Sequence, residues 1–171
     1  GDLGKDKPYQ LEARFEQLFH EKAQTGYAAW NRLFDQTISG LRFKVSGKEL
    51  AIEPTLNFLQ DRAPEKRKAA GQALAKTFKD NERTFALITN TLAKDKEISD
   101  RWRGFEDVAD SRHLNNRVER EVVDGLVGSV RAAYPRLSHR YDTLKAGGVK
   151  KKKHAHWDRN APLPFAASGS I

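Results

Sequence analysis

Apolar residues recur at helical spacing along most of the chain. Leu11, Phe15, Leu18 and Phe19 sit three or four apart with charges between them, which predicts a helix from Tyr9 to Gln24. Thr25-Gly26 breaks it, and Trp30, Leu33, Phe34 and Ile38 form the stripe of a second helix over 27–39, so the two suggest an antiparallel pair. The period then changes to two. Leu41, Phe43 and Val45 alternate with Arg42 and Lys44, Ser46-Gly47-Lys48 turns the chain, and Leu50 and Ile52 alternate again. That is a β-hairpin over 41–53, and it is the one place where the pattern reads as strand. A lone hairpin is marginal, so its apolar face needs a helical support, here expected from the helix of Trp30 and Phe34.

A short helix is predicted over 55–60. Pro64-Glu65 then opens a long one, with proline at the first helical position and an acid near the positive end of the dipole. Leu74, Phe78, Phe85, Ile88 and Leu92 continue the stripe, Ile98 and Trp102 extend it, and Gly104 is the stop. Residues 105–116 are less regular, with a turn expected at Asp110-Ser111. Val122, Val123, Leu126, Val127 and Val130 mark a further helix over 119–133. Leu137, Tyr141 and Leu144 mark one more, closed by Gly147-Gly148. The expected fold is mainly α, an irregular helical array with a single hairpin. It forms one domain over 1–171, with 147–171 as loop and extended C-terminal segment, and no internal repeat is visible.

Composition adds limits rather than a function. With 38% hydrophobic and 32% charged residues, 171 residues can bury a core. No apolar run is long enough to span a membrane. Gly1 to Lys5 lacks the apolar stretch of a secretory signal, and the chain has no cysteine, so disulfides and thiolate metal sites are excluded and a reducing cytoplasm fits. The chain also has no methionine, even at position 1, and its last residues carry no helix cap, so both ends read as cut from something longer. The net charge of +8 invites a polyanion partner. Lys150 to Lys153 supply four of those charges, however, while most other cations alternate with acids as on a solvated helix face. No aromatic residues interleave the lysine run, so nucleic-acid binding is disfavoured.

Candidate chemistry is sparse. A zinc peptidase helix carries H-E-x-x-H, which projects two imidazoles from one face and adds a Glu to activate water. His20-Glu21 begins such a motif, but Gln24 stands where the second ligand belongs. His154 and His156 have strand-like spacing, yet Lys150 to Lys153 would repel a dication and only Asp158 lies near. His113 and His139 stand singly. Asp100, Asp107 and Asp110 do not form a defined acid–base pair. Gly147-Gly148 precedes lysines without the Ser or Thr of a phosphate loop. The chain thus offers no catalytic and no metal-binding residue, and its substrate-binding residues are unknown. Trp157-Asp158-Arg159-Asn160-Ala161-Pro162-Leu163-Pro164 differs from the rest, being aromatic, charged and forced into an extended path by two prolines. It reads first as a structural seam and second as a substrate contact.

Several of these stretches resemble oligoendopeptidase F. They are Trp30 to Asp35, Pro54 to Leu59, Ile88 to Ile98, Ser111 to Asn116 and Trp157 to Pro164, and their order spans nearly the whole chain. The resemblance implies a thimet-oligopeptidase-like, cytoplasmic zinc enzyme that cuts short peptides in a channel between two helical halves. This chain would be a non-catalytic part of the first half, upstream of the zinc helix. It would hold no cofactor itself, and its partners would be the C-terminal catalytic part and oligopeptide substrates. Residues 147–153 depart from the family's usual apolar linker. The competing reading is a stand-alone basic helical module that binds a polyanion or a protein.

Overall fold

The structure is a computed structural model, and it describes residues 4–148 and 155–162. The Lys150 to Lys153 run, His154 and the segment from Leu163 to Ile171 lie outside the described residues. The described fold is mainly helical with one two-stranded antiparallel hairpin. In chain order the elements are α1 (Ala13–Ala23), α2 (Tyr27–Gly40), β1 (Phe43–Val45), β2 (Lys48–Leu50), α3 (Ile52–Asn57), α4 (Pro64–Asp80) and α5 (Glu82–Arg103). These are followed by α6 (Asp110–Asn115), α7 (Arg120–Ala133) and α8 (Ser138–Gly148). Short 3-10 turns lie at Lys7–Tyr9, Phe58–Gln60 and His156–Asp158. The chain divides into two compact units. One takes its described residues from Gly1–Gln36 and Arg83–Arg131, the other from Thr37–Glu82 and Ala132–Ile171.

Four boundaries differ from the sequence pattern, each for a local reason. The first helix begins at Ala13 rather than Tyr9. Glu12 is extended at its N-cap, and the Glu16 carboxylate reaches back to accept the Leu11 N–H at 3.0 Å. Ile52 belongs to α3 rather than to the second strand, and Pro54 is tolerated because the first helical turn has no intrahelical acceptor for its N–H. The long helix from Pro64 is two helices. At Asn81 the side-chain amide donates to the Thr77 carbonyl at 2.9 Å, and the backbone N–H turns to Phe78 O at 3.1 Å. A side chain competing for the i−4 carbonyl interrupts the ladder there. Asp110-Ser111 opens α6 instead of forming a turn. The Asp107 carboxylate accepts the Ala109 N–H at 2.8 Å while Asp110 reaches back to the Asp107 N–H at 2.9 Å, and the two brace the turn that leads into the helix.

Gly104 is the stop the sequence indicates. It has φ +78°, its N–H bonds to Arg101 O, and the Phe105 N–H bonds to Asp100 O, the pairing of a Schellman motif. Arg117 takes the same role after α6 at φ +53°, although it is not glycine.

In the second unit the hairpin has the register Phe43↔Leu50, Lys44↔Glu49, Val45↔Lys48. Phe43 and Val45 are buried while Lys44 is exposed, so the alternation places the apolar side as read. The support is α4, which supplies Ala73, Leu74 and Phe78, the last meeting Phe43 edge-on at 5.6 Å between ring centres. The helix of Trp30 and Phe34 was the wrong support to expect. In the first unit Phe34 instead packs edge-on against Phe85 at 5.8 Å.

Candidate functional site

The stripe on α4 explains the most organised polar group in the second unit. Arg67, Ala70, Gly71 and Leu74 recur at helical spacing and all are buried. The apolar members receive the hairpin, and the first two turns receive the segment around Trp157. Gly71 matters because that segment runs directly over it, so that a Cβ at position 71 would lie 2.8 Å from the Trp157 Cβ. Beside it Arg67, 3% exposed, meets Asp158, fully buried. Arg67 Nε and Nη2 donate to Asp158 Oδ1 at 3.2 and 2.9 Å, and Nη1 donates to the carbonyls of Asp61 and Arg62 at 2.9 and 3.0 Å. A buried guanidinium is tolerable only when its donors are so occupied. Lys145 on α8 is also buried, and its ammonium donates to the Arg159 carbonyl and lies 5.7 Å from the Tyr141 ring centre. The Trp157–Arg159 stretch is therefore docked by two cations, Arg67 at the Asp158 carboxylate and Lys145 at the neighbouring Arg159 carbonyl.

The first unit holds an open cleft of about 1080 Å³, lined by α1, α5 and the segments around Tyr9 and Ser111. Phe19, Leu92 and Ile98 give it apolar wall, and Glu16 and Arg103 give it charge. Arg103 holds both Glu16 oxygens, at 2.7 and 2.8 Å, and donates to the Tyr9 carbonyl at 3.2 Å. The two hydrogen bonds from Arg103, with the Leu11 N–H, push the Glu16 carboxyl down to about 2. Tyr9 stacks on Phe105 at 4.2 Å between ring centres, and Phe15 and Phe19 pack against Trp102 at 5.5 and 6.0 Å. Such a clamp suits fixing the start of α1 to the end of α5. A group ionised so far below neutrality is no proton donor at working pH.

Each residue singled out from the sequence has a place. His20 and Asp100 both line the cleft, but His20 is exposed on α1 and Asp100 is paired with Lys96, whose ammonium also donates to Ser111 at 2.9 Å. Asp107 and Asp110 brace the turn before α6 and both pair with Arg120. The Ala109 N–H and then the Arg120 charge hold the Asp107 carboxyl below the usual range. His113 is half-buried on α6, His139 is exposed beside Tyr134, and His156 is exposed against the Trp157 ring. An open depression in the second unit gathers His156, Arg159, Tyr141 and Asp142. Among the described residues, no group of three or more His, Asp or Glu could hold a metal ion. Sequence reasoning passed over Arg67 and the Glu16–Arg103 clamp. For Arg67 the signal was available, since it is the charged member of an otherwise small and apolar stripe.

A family profile described as Oligopeptidase F matches residues 1–43. Oligopeptidase PepF of Bacillus subtilis (strain 168) is 24% identical over 168 residues. The chain is similar to oligopeptidase F. The alignment covers 95% of this chain and 25% of that relative, so the chain spans about a quarter of the relative's length. No solved structure matches it. Among the described residues, no helix is long and apolar enough to cross a membrane. The described residues do not fit the zinc that such a peptidase would imply. His20 has Gln24 at the next ligand position, and no three of the described His, Asp and Glu residues are grouped to hold a metal.

Proposed function

We propose that this chain is the helical N-terminal portion of a cytoplasmic, zinc-dependent oligoendopeptidase, in which it forms part of the wall that encloses short peptide substrates. The observation that carries the reading is the alignment, which takes in nearly all of this chain but only a quarter of an oligopeptidase. In this reading the zinc set and the water-activating Glu belong to a later H-E-x-x-H helix. This portion supplies shape rather than chemistry. The charged groups support the division, because the most buried of them among the described residues, Arg67 and Asp158, are paired with each other.

The test compares two proteins on one quenched oligopeptide. The purified 171-residue chain should leave it intact with or without added zinc. The complete gene product should cleave it and lose that activity to a chelator. Chelator-sensitive cleavage by the 171-residue chain, or a complete gene product without H-E-x-x-H, would overturn the reading.

A further inference from the structure

The helix α7 is amphipathic, yet of the five Val and Leu residues of its stripe only Val123 is partly buried and the other four are exposed. Val122, Leu126, Val127 and Val130 recur at helical spacing and are 62%, 64%, 43% and 42% exposed. Glu121 stands opposite this stripe, and Arg120, Asp124 and Arg131 flank it. An apolar stripe of this kind on a surface helix normally faces a core, and a contiguous exposed patch marks an interaction surface. We propose that the apolar side of α7 is a docking surface for the remaining part of a longer polypeptide, engaged by an apolar helix stripe from that part. The proposal rests on the functional reading above.

Two observations favour this occupant. The alignment with PepF takes in 95% of this chain, while three quarters of that relative has no counterpart here, so a large partner surface in the same polypeptide is implied. The charges of α7 argue against a lipid surface. The charges around its stripe are two cations and two anions, whereas helices that lie on anionic membranes have a Lys- and Arg-rich polar face. Docking would remove four branched side chains from water along about 12 Å of helix. It would leave the mixed charges outside.

The chain has no cysteine, so one introduced thiol reports one position. Leu126→Cys places it on the apolar side and Asp124→Cys on the polar flank, and both sites are exposed, so neither change disturbs a packed contact. Each variant is labelled with a maleimide in the 171-residue chain and in the complete gene product, and modification is located by peptide mass. In the 171-residue chain both thiols should react at similar rates. In the complete product Leu126→Cys should slow by roughly tenfold or more while Asp124→Cys stays fast. Equal, fast labelling of both in the complete product would overturn the docking surface and leave the peptidase reading standing. Protection already present in the 171-residue chain and growing with its concentration would assign the surface to a second copy instead. A reading frame that stops at Ile171 would remove the partner and the peptidase reading together.

Discussion

Gly71→Ala sets two known effects against each other at one atom. In a helix interior alanine is normally better than glycine by about 1 kcal/mol, because it loses less backbone freedom. Here the new Cβ would sit 2.8 Å from the Trp157 Cβ and 3.5 Å from its Cε3, with His156 Nε2 at 3.4 Å. Carbon pairs are at rest near 3.5–4.0 Å, and a Cβ is one bond from the backbone, so no side-chain rotation relieves the contact. The segment itself must move. Overpacking of this kind costs about 1–3 kcal/mol, and any shift also stretches the Arg67–Asp158 contacts. The net expectation is destabilisation of about 1–2 kcal/mol with a changed Trp157 environment. Gly128→Ala on α7 is the control, since nothing lies within 4 Å of a Cβ there, and it should stabilise by about 0.5–1 kcal/mol. Urea melts followed by far-UV circular dichroism give both free energies, and tryptophan emission reports the segment. If Gly71→Ala stabilises as much as Gly128→Ala with unchanged emission, the close approach is not real.

Asp158→Ala should cost about 3–5 kcal/mol, because it leaves a buried guanidinium without its counter-charge, whereas the pair Arg67→Met with Asp158→Leu should recover most of that. A double variant melting no higher than Asp158→Ala would show that the ion pair is not what docks the segment. Phe43→Ala should cost about 3–5 kcal/mol and Lys44→Ala no more than about 0.5 kcal/mol, since only the first empties a packed site. Equal losses in denaturant would mean that the opposite face of the hairpin is buried. Glu16 carries a pH signature. Its folded pKa lies near 2 against an ordinary 4.5, so its contribution is present above pH 4.5 and is lost as pH falls toward 2. With the Glu16 side chain 37% exposed, screening holds this to about 0.5–1 kcal/mol. Acid titration of Glu16→Gln should lack that component, and an unchanged acid profile would contradict the clamp.

Helix and strand periods are local properties, and they were readable without the fold. Leu41 to Ile52 fixed which side of the hairpin is apolar, Gly104 marked a helix end, and Gln24 excluded a zinc motif at His20. The break at Asn81 escaped that reading because the apolar stripe runs through it, while the interruption comes from one side-chain amide taking a backbone carbonyl. Which helix the hairpin uses was a different kind of question. An apolar stripe states that a face will be covered and not by what, and both α2 and α4 carry one. Tertiary packing decided it: Ala73, Leu74 and Phe78 of α4 form one cluster with Phe43 and Val45. The Arg67–Asp158 pair joins residues 91 apart in sequence. No spacing rule reaches that far. Only the tertiary path, bringing the Trp157 segment back over the first turns of α4, makes an ordinary surface-type arginine and aspartate into the most buried charges of the described chain.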